Sequence, residues 1–259
     1  MSVRHLNPFV IDMEKFIKNA NLPVNSVKRV ISGELPESVK ADLLKYGINI
    51  IETENNPVFI EGLSSHADLQ FIHLENNRLL VCSYQKKAAK QLEKLGFELD
   101  FFDIKNGEYP FDCAVNAAFL GKKVICRFDI LENKLKQFII NNGYSIVNVN
   151  QGYSKCSVCI VDKNSVITED KSIKNACAKR GIDVLLIRKG FVKLKCFDYG
   201  FIGGASFKAD EKTLGFIGKI ENHPDFTLIN DFLSKKSIKY ISFGDTELTD
   251  VGSVIPINE

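Results

Sequence analysis

The feature that most constrains this fold is an order of apolar runs, turns and glycines that recurs along the chain. It is clearest between Cys156 and Ile187. There, two apolar runs flank a polar turn, a charged segment follows, and Gly181 precedes a last apolar run. Two apolar runs around a turn predict paired strands, and a charged segment that ends at a glycine predicts a helix. The stretch therefore predicts the order strand, strand, helix, strand.

The same order recurs at intervals of roughly 40 to 50 residues, a period typical of propellers, solenoids and other arrays. Complete units begin at His66, after Asp112 and at Cys156, and a longer unit begins near Phe201. The first unit, residues 27–51, lacks its first strand. Glycines are expected to end the first four helices, at Gly47, Gly96, Gly143 and Gly181.

The short apolar run 253–257 can supply the strand that the first unit lacks. The chain would then close on itself as an α/β protein, a five-fold pseudo-symmetric propeller of strand-strand-helix-strand units without an open sheet edge. The alternative is a three-layer α/β domain, but a parallel sheet expects one strand per helix, whereas strand pairs separate these helices. We predict a helical extension over residues 1–26, with an amphipathic helix at 9–20, and one propeller domain over 27–259.

Composition limits the possible partners. The chain has 34 basic and 32 acidic residues and a formal net charge of +2, which does not indicate a nucleic-acid-binding protein. No apolar stretch approaches the length of a membrane span. We therefore expect a cytoplasmic protein that binds neither nucleic acid nor membrane. The oligomeric state is left open.

The seven cysteines lack the spacing of a disulfide framework, so reduced thiols are expected. Cys156 and Cys159 form one CxxC pair, but no second pair and no histidine pair completes a zinc site. Neither a metal nor a cofactor is predicted. Four cysteines within predicted strands or helices are expected to be small buried apolar residues: Cys82, Cys126, Cys159 and Cys177.

Five such units, with an N-terminal half-unit completed by the C-terminus, resemble the pentein superfamily over residues 27–257. That superfamily contains arginine and agmatine deiminases, amidinotransferases and dimethylarginine hydrolases, and a non-catalytic ribosome anti-association factor shares the fold. The sequence His66-Ala67-Asp68 resembles the His-x-Asp that heads the strand of the deiminases' catalytic histidine. The stretches GYSKCS, DYGFIGGAS and DVGSVIP are similar to an uncharacterised bacterial branch.

In a pseudo-symmetric ring, the segments that lead into the first strands converge near the axis. Four of these five segments carry an aspartate, and carboxylates suit a planar guanidinium cation, which they bind with paired hydrogen bonds. The predicted ligand is therefore a small cationic, guanidine-like molecule. The candidate binding residues are Asp68, Asp112, Lys155, Asp198, Gly203, Gly204 and Asp250. The alternative is that these aspartates and glycines form turns, and that Gly203 and Gly204 belong to a bulged first strand of the fifth unit.

Deiminase-type chemistry requires a thiolate nucleophile, a histidine acid and base, and carboxylates that hold the cation. Cys156 is the preferred nucleophile, because the charge of Lys155 would lower the pKa of its thiol and Gly152 would permit close approach of a substrate. His66 is the predicted acid and base. Cys113 is the second candidate nucleophile, and the role of Cys196 is left open.

The sequence also departs from the enzymes that it resembles. Ser253 follows the glycine of the C-terminal loop where those enzymes carry their cysteine, and a whole unit separates His66 from Cys156. Two functions therefore stay open. The first is a hydrolase or transferase that modifies a guanidine or amidine. The second is a non-catalytic binding protein with a small cationic ligand or a macromolecular partner.

Overall fold

The computed structural model describes residues 14–259. Within this range the chain is a mixed α/β protein of short elements. The helices are α1 (Glu37–Lys45), α2 (Lys86–Lys94), α3 (Asn133–Asn141), α4 (Lys171–Ala178) and α5 (Phe226–Lys235). Short 3₁₀ turns lie at Ala67–Leu69, Phe111–Cys113, Phe128–Ile130 and Ile220–Asn222. None of the helices described in residues 14–259 has the length and apolar character needed to cross a membrane.

The strands have the order that the sequence predicts. They are β1 (Arg29–Ser32), β2 (Asn49–Glu52), β3 (Phe71–Glu75), β4 (Arg78–Cys82), β5 (Glu98–Phe102), β6 (Ala118–Leu120), β7 (Lys123–Cys126), β8 (Ser145–Asn148), β9 (Cys159–Asp162), β10 (Ser165–Thr168), β11 (Asp183–Leu186), β12 (Ser206–Asp210), β13 (Thr213–Lys219), β14 (Lys239–Glu247) and β15 (Val254–Asn258).

These strands form five three-stranded sheets, ordered β15-β1-β2, β3-β4-β5, β6-β7-β8, β9-β10-β11 and β12-β13-β14. In each sheet the middle strand is antiparallel to one neighbour and parallel to the other. Antiparallel strands can be joined by a tight turn, whereas parallel strands require a crossover connection. One α-helix provides that crossover in each unit.

The prediction that the C-terminal run completes the first unit is confirmed. Strand β15 pairs antiparallel with β1, with Ile255 opposite Ile31 and Val254 opposite Ser32. Strand β2 pairs in parallel on the other side of β1. The first sheet therefore joins the two ends of the described chain.

The amphipathic helix predicted at 9–20 is wrong for the part that the structure describes. Residues 9–13 lie outside the described range, and residues 14–20 form no helix but contain isolated β-bridges at Phe16 and Asn19, a bend at Lys18 and a turn at Ala20. Lys15 and Glu259 exchange two backbone hydrogen bonds of 2.8 Å, and the Ile17 N–H donates to the Ile257 carbonyl at 3.1 Å. The free edge of β15 offers this segment hydrogen-bond partners and a buried position for Ile17. The division at residues 26 and 27 stays a prediction.

In the part of the chain that the structure describes, five large apolar clusters join the sheets in pairs. Four of them are shared by sheets that follow one another along the chain, and the fifth is shared by the last sheet and the first. Representative pairs are Ile31 with Phe71, Ile72 with Phe119, Ala118 with Val166, Cys159 with Phe216, and Phe207 with Val30. Each sheet therefore packs against two others.

Truncation of a buried side chain on the C-terminal strand β15 should destabilise the protein. Ile257 is fully buried in the cluster between the first and second sheets. We expect Ile257→Ala to lower the free energy of unfolding by about 2–5 kcal/mol, because it removes a buried side chain and leaves a cavity. Urea denaturation measures this change.

The matched control is Ile140→Ala, because Ile140 on α3 is 61% exposed. Its free energy of unfolding should stay within about 0.5 kcal/mol of the unmodified protein. Equal losses in the two variants would show that β15 does not contribute to the core in this way.

Candidate active site

A cavity of about 260 Å³ lies among the segments that lead into the first strands. Four of the predicted site residues line it: His66, Cys156, Asp198 and Asp250. The rest of the wall is formed by Leu63, Tyr153, Leu194, Phe197, Tyr199 and Phe201. His66 precedes the second sheet and Cys156 precedes the fourth, so the packing of the sheets brings together two residues that a whole unit separates in sequence.

The Cys156 thiol is buried and has two polar partners. It donates to Asp68 Oδ2 at 2.9 Å, and Asn116 Nδ2 donates to the sulfur at 3.3 Å. The Asn116 side chain also accepts from the backbone N–H of Lys155 at 2.6 Å. Asn116 therefore fixes both the thiol and the backbone beside it. It was not among the predicted residues, and its only sequence signal is its place between Asp112 and β6.

Lys155 points away from the thiol that it was expected to activate. Its Nζ donates to Ser253 Oγ at 3.1 Å and to the Gly203 carbonyl at 3.4 Å. Ser253 Oγ in turn donates to Asp68 Oδ2 at 2.5 Å. Lys155, Ser253, Asp68 and Cys156 thus form one continuous chain of hydrogen bonds.

The prediction that Lys155 lowers the pKa of Cys156 is wrong. Burial raises the pKa of this thiol well above its ordinary value, and the negative charges of Asp68 and Asp250 raise it further. The side chain of Asn116 opposes this effect through its hydrogen bond. In the absence of a ligand, Cys156 is therefore a protonated thiol at neutral pH.

His66 and Asp68 are buried and interact electrostatically. Burial lowers the pKa of His66, and the charge of Asp68 opposes that shift. Burial raises the pKa of Asp68, and the charge of His66 opposes it. Within residues 14–259, His66 Nδ1 and Asp68 Oδ1 have no hydrogen-bond partner. Buried polar atoms without partners are rare, so these two are candidates for contact with a ligand.

Asp250 is held rigidly by the backbone around it. Its two carboxylate oxygens accept N–H groups from Phe201 and Gly252, each at 2.9 Å. Burial nevertheless raises the pKa of Asp250 to about 6. Any Cβ atom at position 204 would overlap this carboxylate, so glycine is required there.

Gly203 and Gly204 lie in a turn that precedes β12 and not within the strand. The Gly204 N–H donates to the Cys156 carbonyl at 2.8 Å. A Cβ at Gly203 would overlap the carbonyl oxygen of Lys155. These two glycines therefore allow the fourth and fifth units to approach each other closely.

The remaining predicted residues lie farther from the thiol. Asp112 is buried behind Tyr153, accepting the Tyr153 hydroxyl at 2.5 Å and the Cys113 thiol at 3.1 Å. Burial and the charge of Asp112 raise the pKa of Cys113. Asp198 is exposed at the cavity wall. Gly152 leaves room for the ring of Tyr109 instead of facing the cavity.

The other cysteines lie as the sequence predicts. All seven thiols are free, and Cys82, Cys126, Cys159 and Cys177 are buried. Cys196 is the exposed one. No set of three or more histidine, cysteine, aspartate or glutamate side chains in residues 14–259 is arranged to hold a metal ion.

A second, wider groove of about 920 Å³ shares Tyr199 and Phe201 with the cavity. Glu169 lines it, and its Oε2 accepts the Ile202 N–H at 3.2 Å. Burial raises the pKa of Glu169 to about 8. Sequence analysis missed this carboxylate, although it directly follows β10, a position where functional side chains often lie in α/β sheets.

Comparison with solved structures defines the class of fold. An inosamine-phosphate amidinotransferase of Streptomyces griseus has a TM-score of 0.57 and 10% identity, covering 93% of this chain and 97% of that one. The agmatine deiminase of C. jejuni has a TM-score of 0.52 and 14% identity, covering 92% and 93%. An amidinotransferase of Microseira wollei in the saxitoxin pathway has a TM-score of 0.51 and 10% identity, covering 88% and 91%. The chain has the fold of the pentein superfamily, as the sequence predicted.

Residues 30–255 match the sequence profile of the Family of unknown function (DUF6873), and the chain belongs to that family. No curated protein matches its sequence.

Loss of the Asn116 side chain should destabilise the site and the protein together. Asn116→Ala leaves the Lys155 N–H and the Asp68 carbonyl without the partners that Asn116 now supplies. Buried groups that lose a hydrogen-bond partner cost about 1–3 kcal/mol. For a chain of this size we expect the melting temperature to fall by roughly 2–12 °C, as measured by calorimetry.

The control is Asn141→Ala at the exposed end of α3. It should change the melting temperature by less than about 2 °C. If both variants melted at the temperature of the unmodified protein, Asn116 would not fix the site in the way described.

Proposed function

We propose that the chain binds a small guanidine or amidine cation in the cavity and modifies it through Cys156. The observation that carries this proposal is the meeting of a thiol, an imidazole and buried carboxylates around one cavity. Cys156, His66 and Asp250 line its wall, and Asp68 lies behind the thiol. The shared fold with an agmatine deiminase and two amidinotransferases supports the same chemistry.

The complete architecture that we propose is a five-fold propeller closed by β15. Five apolar clusters that join each sheet to two others support a ring of five sheets around one axis. The convergence of residues from different units on one cavity supports the same arrangement. In such a ring, Asp68, Cys156 and Asp250 would lie close to the axis, where the first strands begin.

Charge complementarity supports a planar cation as the ligand. The charged side chains on the cavity wall, Asp198 and Asp250, are acidic, and Asp68 adds a carboxylate behind the thiol. Carboxylates bind guanidinium or amidinium groups through paired, charge-assisted hydrogen bonds. The negative charges of Asp68 and Asp250 raise the pKa of Cys156, so a bound cation would lower it again. The thiol would therefore ionise mainly when the ligand is in place.

The proposed reaction begins when Cys156 transfers its proton to Asp68 and its sulfur attacks the central carbon of the cation. A carbon–sulfur bond forms, and the C=N electron pair moves to nitrogen. His66 relays the released proton to the departing amine, and a carbon–nitrogen bond breaks. His66 then takes a proton from water or from a second amine as that nucleophile adds to the same carbon. A lone pair on the attached nitrogen or oxygen re-forms the double bond to carbon, the carbon–sulfur bond breaks, and His66 returns its proton to the sulfur, which regenerates the Cys156 thiol.

A second candidate function is binding without chemistry. Two observations favour it: Ser253 occupies the C-terminal loop position where the resembling enzymes carry cysteine, and the pKa of Cys156 is raised well above its usual value. Ser253 is also completely buried and is hydrogen-bonded to Asp68 and Lys155. A serine so placed serves to hold its neighbours and does not act as a nucleophile.

The proposal predicts that a cationic reagent alkylates Cys156 selectively. The matched reagents are 2-chloroacetamidine, a cation, and neutral 2-chloroacetamide. We expect the amidine to label Cys156 at least about tenfold faster, because an attraction of about 1.4 kcal/mol changes a rate or affinity tenfold. Mass spectrometry of each cysteine at pH 7.5 measures the two rates.

Exposed Cys196 is the internal control, and its rate ratio for the two reagents should lie near one. Cys113→Ser should preserve the preference at Cys156, and Asp250→Asn should reduce it. Equal labelling of Cys156 by both reagents would contradict the reaction. If methylguanidine binds but Cys156 stays unreactive, the function without chemistry is the correct one.

The affinity for the cation should depend on the ionisation of Asp250. Its pKa of about 6 in the free protein means that the carboxyl is mostly neutral at pH 5 and mostly charged at pH 7. We expect the association constant of methylguanidine, which stays cationic throughout, to rise about tenfold between these pH values, following the ionised fraction. Isothermal titration calorimetry measures the constant. Asp250→Asn should weaken binding at pH 7 and flatten the increase, whereas an unchanged profile in this variant would exclude Asp250 as the group responsible.

A further inference from the structure

The cavity wall is mostly aromatic and aliphatic. Apart from His66, Cys156 and two aspartates, the side chains that line it are Leu63, Tyr153, Leu194, Phe197, Tyr199 and Phe201. A guanidine or amidine head needs only the polar part of this wall. The apolar part is therefore available to the rest of the ligand, and its surface favours an apolar substituent.

Three of the rings lie next to one another in the wall, with Tyr199 edge-to-face against Phe201. The centroids of Tyr153 and Phe201 are 6.3 Å apart with planes inclined at 33°, and those of Tyr199 and Phe201 are 6.2 Å apart at 89°. The hydroxyl of Tyr153 is bound to Asp112, so it is already satisfied within the protein. Adjacent ring faces attract flat apolar groups and cations alike.

The charges on the wall disfavour an acidic substituent. Among residues 14–259, the side chains lining the cavity include no lysine or arginine, and the charged groups are Asp198 and Asp250. The amine of buried Lys155 is occupied by Ser253 and the Gly203 carbonyl. A ligand carboxylate in the cavity would be desolvated without a cationic partner and would be repelled by Asp198.

Basic side chains do lie nearby, but outside the cavity. Lys195 lines a groove that shares His66 and Asp250 with the cavity, and it is paired with Glu61 at 3.3 Å. The others lie in the wider groove. Lys171, Arg188 and Lys189 line that groove and not the cavity. Tyr199 and Phe201 line both spaces and so form the partition between them. Arg188 is already paired with Asp225 at 2.7 Å. The amine of Lys189 lies 6.0 Å from the centroid of the Tyr199 ring.

We infer that the ligand is an amidine or guanidine with an uncharged apolar substituent, preferably an aromatic ring, and that the site discriminates against guanidines that carry a carboxylate. This inference rests on the proposed function and specifies its substrate class. The volume of about 260 Å³ is below the range of about 300–1,000 Å³ typical for drug-sized ligands, so it suits one ring attached to the cationic head.

The test compares three probes by isothermal titration calorimetry at pH 7.5: benzamidine, methylguanidine and arginine. We expect benzamidine to bind at least about tenfold more tightly than methylguanidine, because its ring contacts the aromatic wall, and arginine to bind most weakly. Tyr199→Ala should weaken benzamidine binding several-fold and change methylguanidine binding by less than about twofold.

Two further variants make the test specific. Phe191 is an exposed ring of the groove and does not line the cavity, so Phe191→Ala should leave all three affinities unchanged. Asp198→Lys, at an exposed position, removes one wall carboxylate and so weakens the binding of both cationic heads, but it should raise the affinity for arginine relative to methylguanidine about tenfold by supplying a partner for the carboxylate.

The outcomes separate this inference from the function on which it rests. Arginine binding more tightly than benzamidine to the unmodified protein would overturn the inferred substrate class and leave the cation site intact. Equal weakening of benzamidine and methylguanidine binding by Tyr199→Ala would overturn that class as well. If none of the three cations binds, the proposed function itself fails.

Discussion

The structure depends on the backbone pairing of β15 with β1. This pairing gives the first sheet its third strand and places Ile255 and Ile257 in the cluster that the first sheet shares with the second. Because the segment that carries Asp250 and Ser253 directly precedes β15, the same pairing also positions the C-terminal part of the site. Completion of the first sheet and placement of the C-terminal part of the site are therefore consequences of one set of hydrogen bonds.

The second constraint is the concentration of buried charge beside the thiol. Asp68, Asp250 and Lys155 are all buried, and each is partly compensated by hydrogen bonds to backbone or hydroxyl groups. Burial of an isolated charge costs free energy, and burial accordingly raises the pKa values of the Asp68 and Asp250 carboxyl groups. Lys155, the lysine beside these two carboxylates, is hydrogen-bonded to Ser253 and to the Gly203 carbonyl, and the proposed ligand would add a further positive charge to the site.

Much of the fold could be predicted because a glycine follows the end of each of the first four helices. Gly47, Gly96, Gly143 and Gly181 all have positive φ, so the helix ends inferred from them lie where the structure has them. The helix predicted for the segment at 14–20 was wrong because the apolar spacing of this segment also suits a non-helical chain that pairs with a sheet edge. Periodicity identifies which side chains are buried but not the partner that covers them.

The sequence predicted the candidate active site only in part, because it does not show in which direction a loop side chain points. The repeat indicated which loops would contain polar groups, and four of those groups line the cavity: His66, Cys156, Asp198 and Asp250. The sequence could not reveal that Lys155 faces Ser253, or that Asp112 lies behind Tyr153. Neighbours in sequence can point in opposite directions in a loop, so the electrostatic effect of Lys155 on Cys156 could not be inferred from adjacency.

Asp68 accepts hydrogen bonds from both the Cys156 thiol and the Ser253 hydroxyl, so a proton transfer from the thiol can change the orientation of the Ser253 O–H bond. Asp68 Oδ2 accepts from both Cys156 and Ser253, and the Gly203 carbonyl lies 3.2 Å from the same serine oxygen. A proton that moved from the thiol to this carboxylate would leave Ser253 free to turn its O–H toward Gly203 and to accept from Asp68. The charge could then be redistributed by rotating one O–H bond, with every heavy atom staying in place.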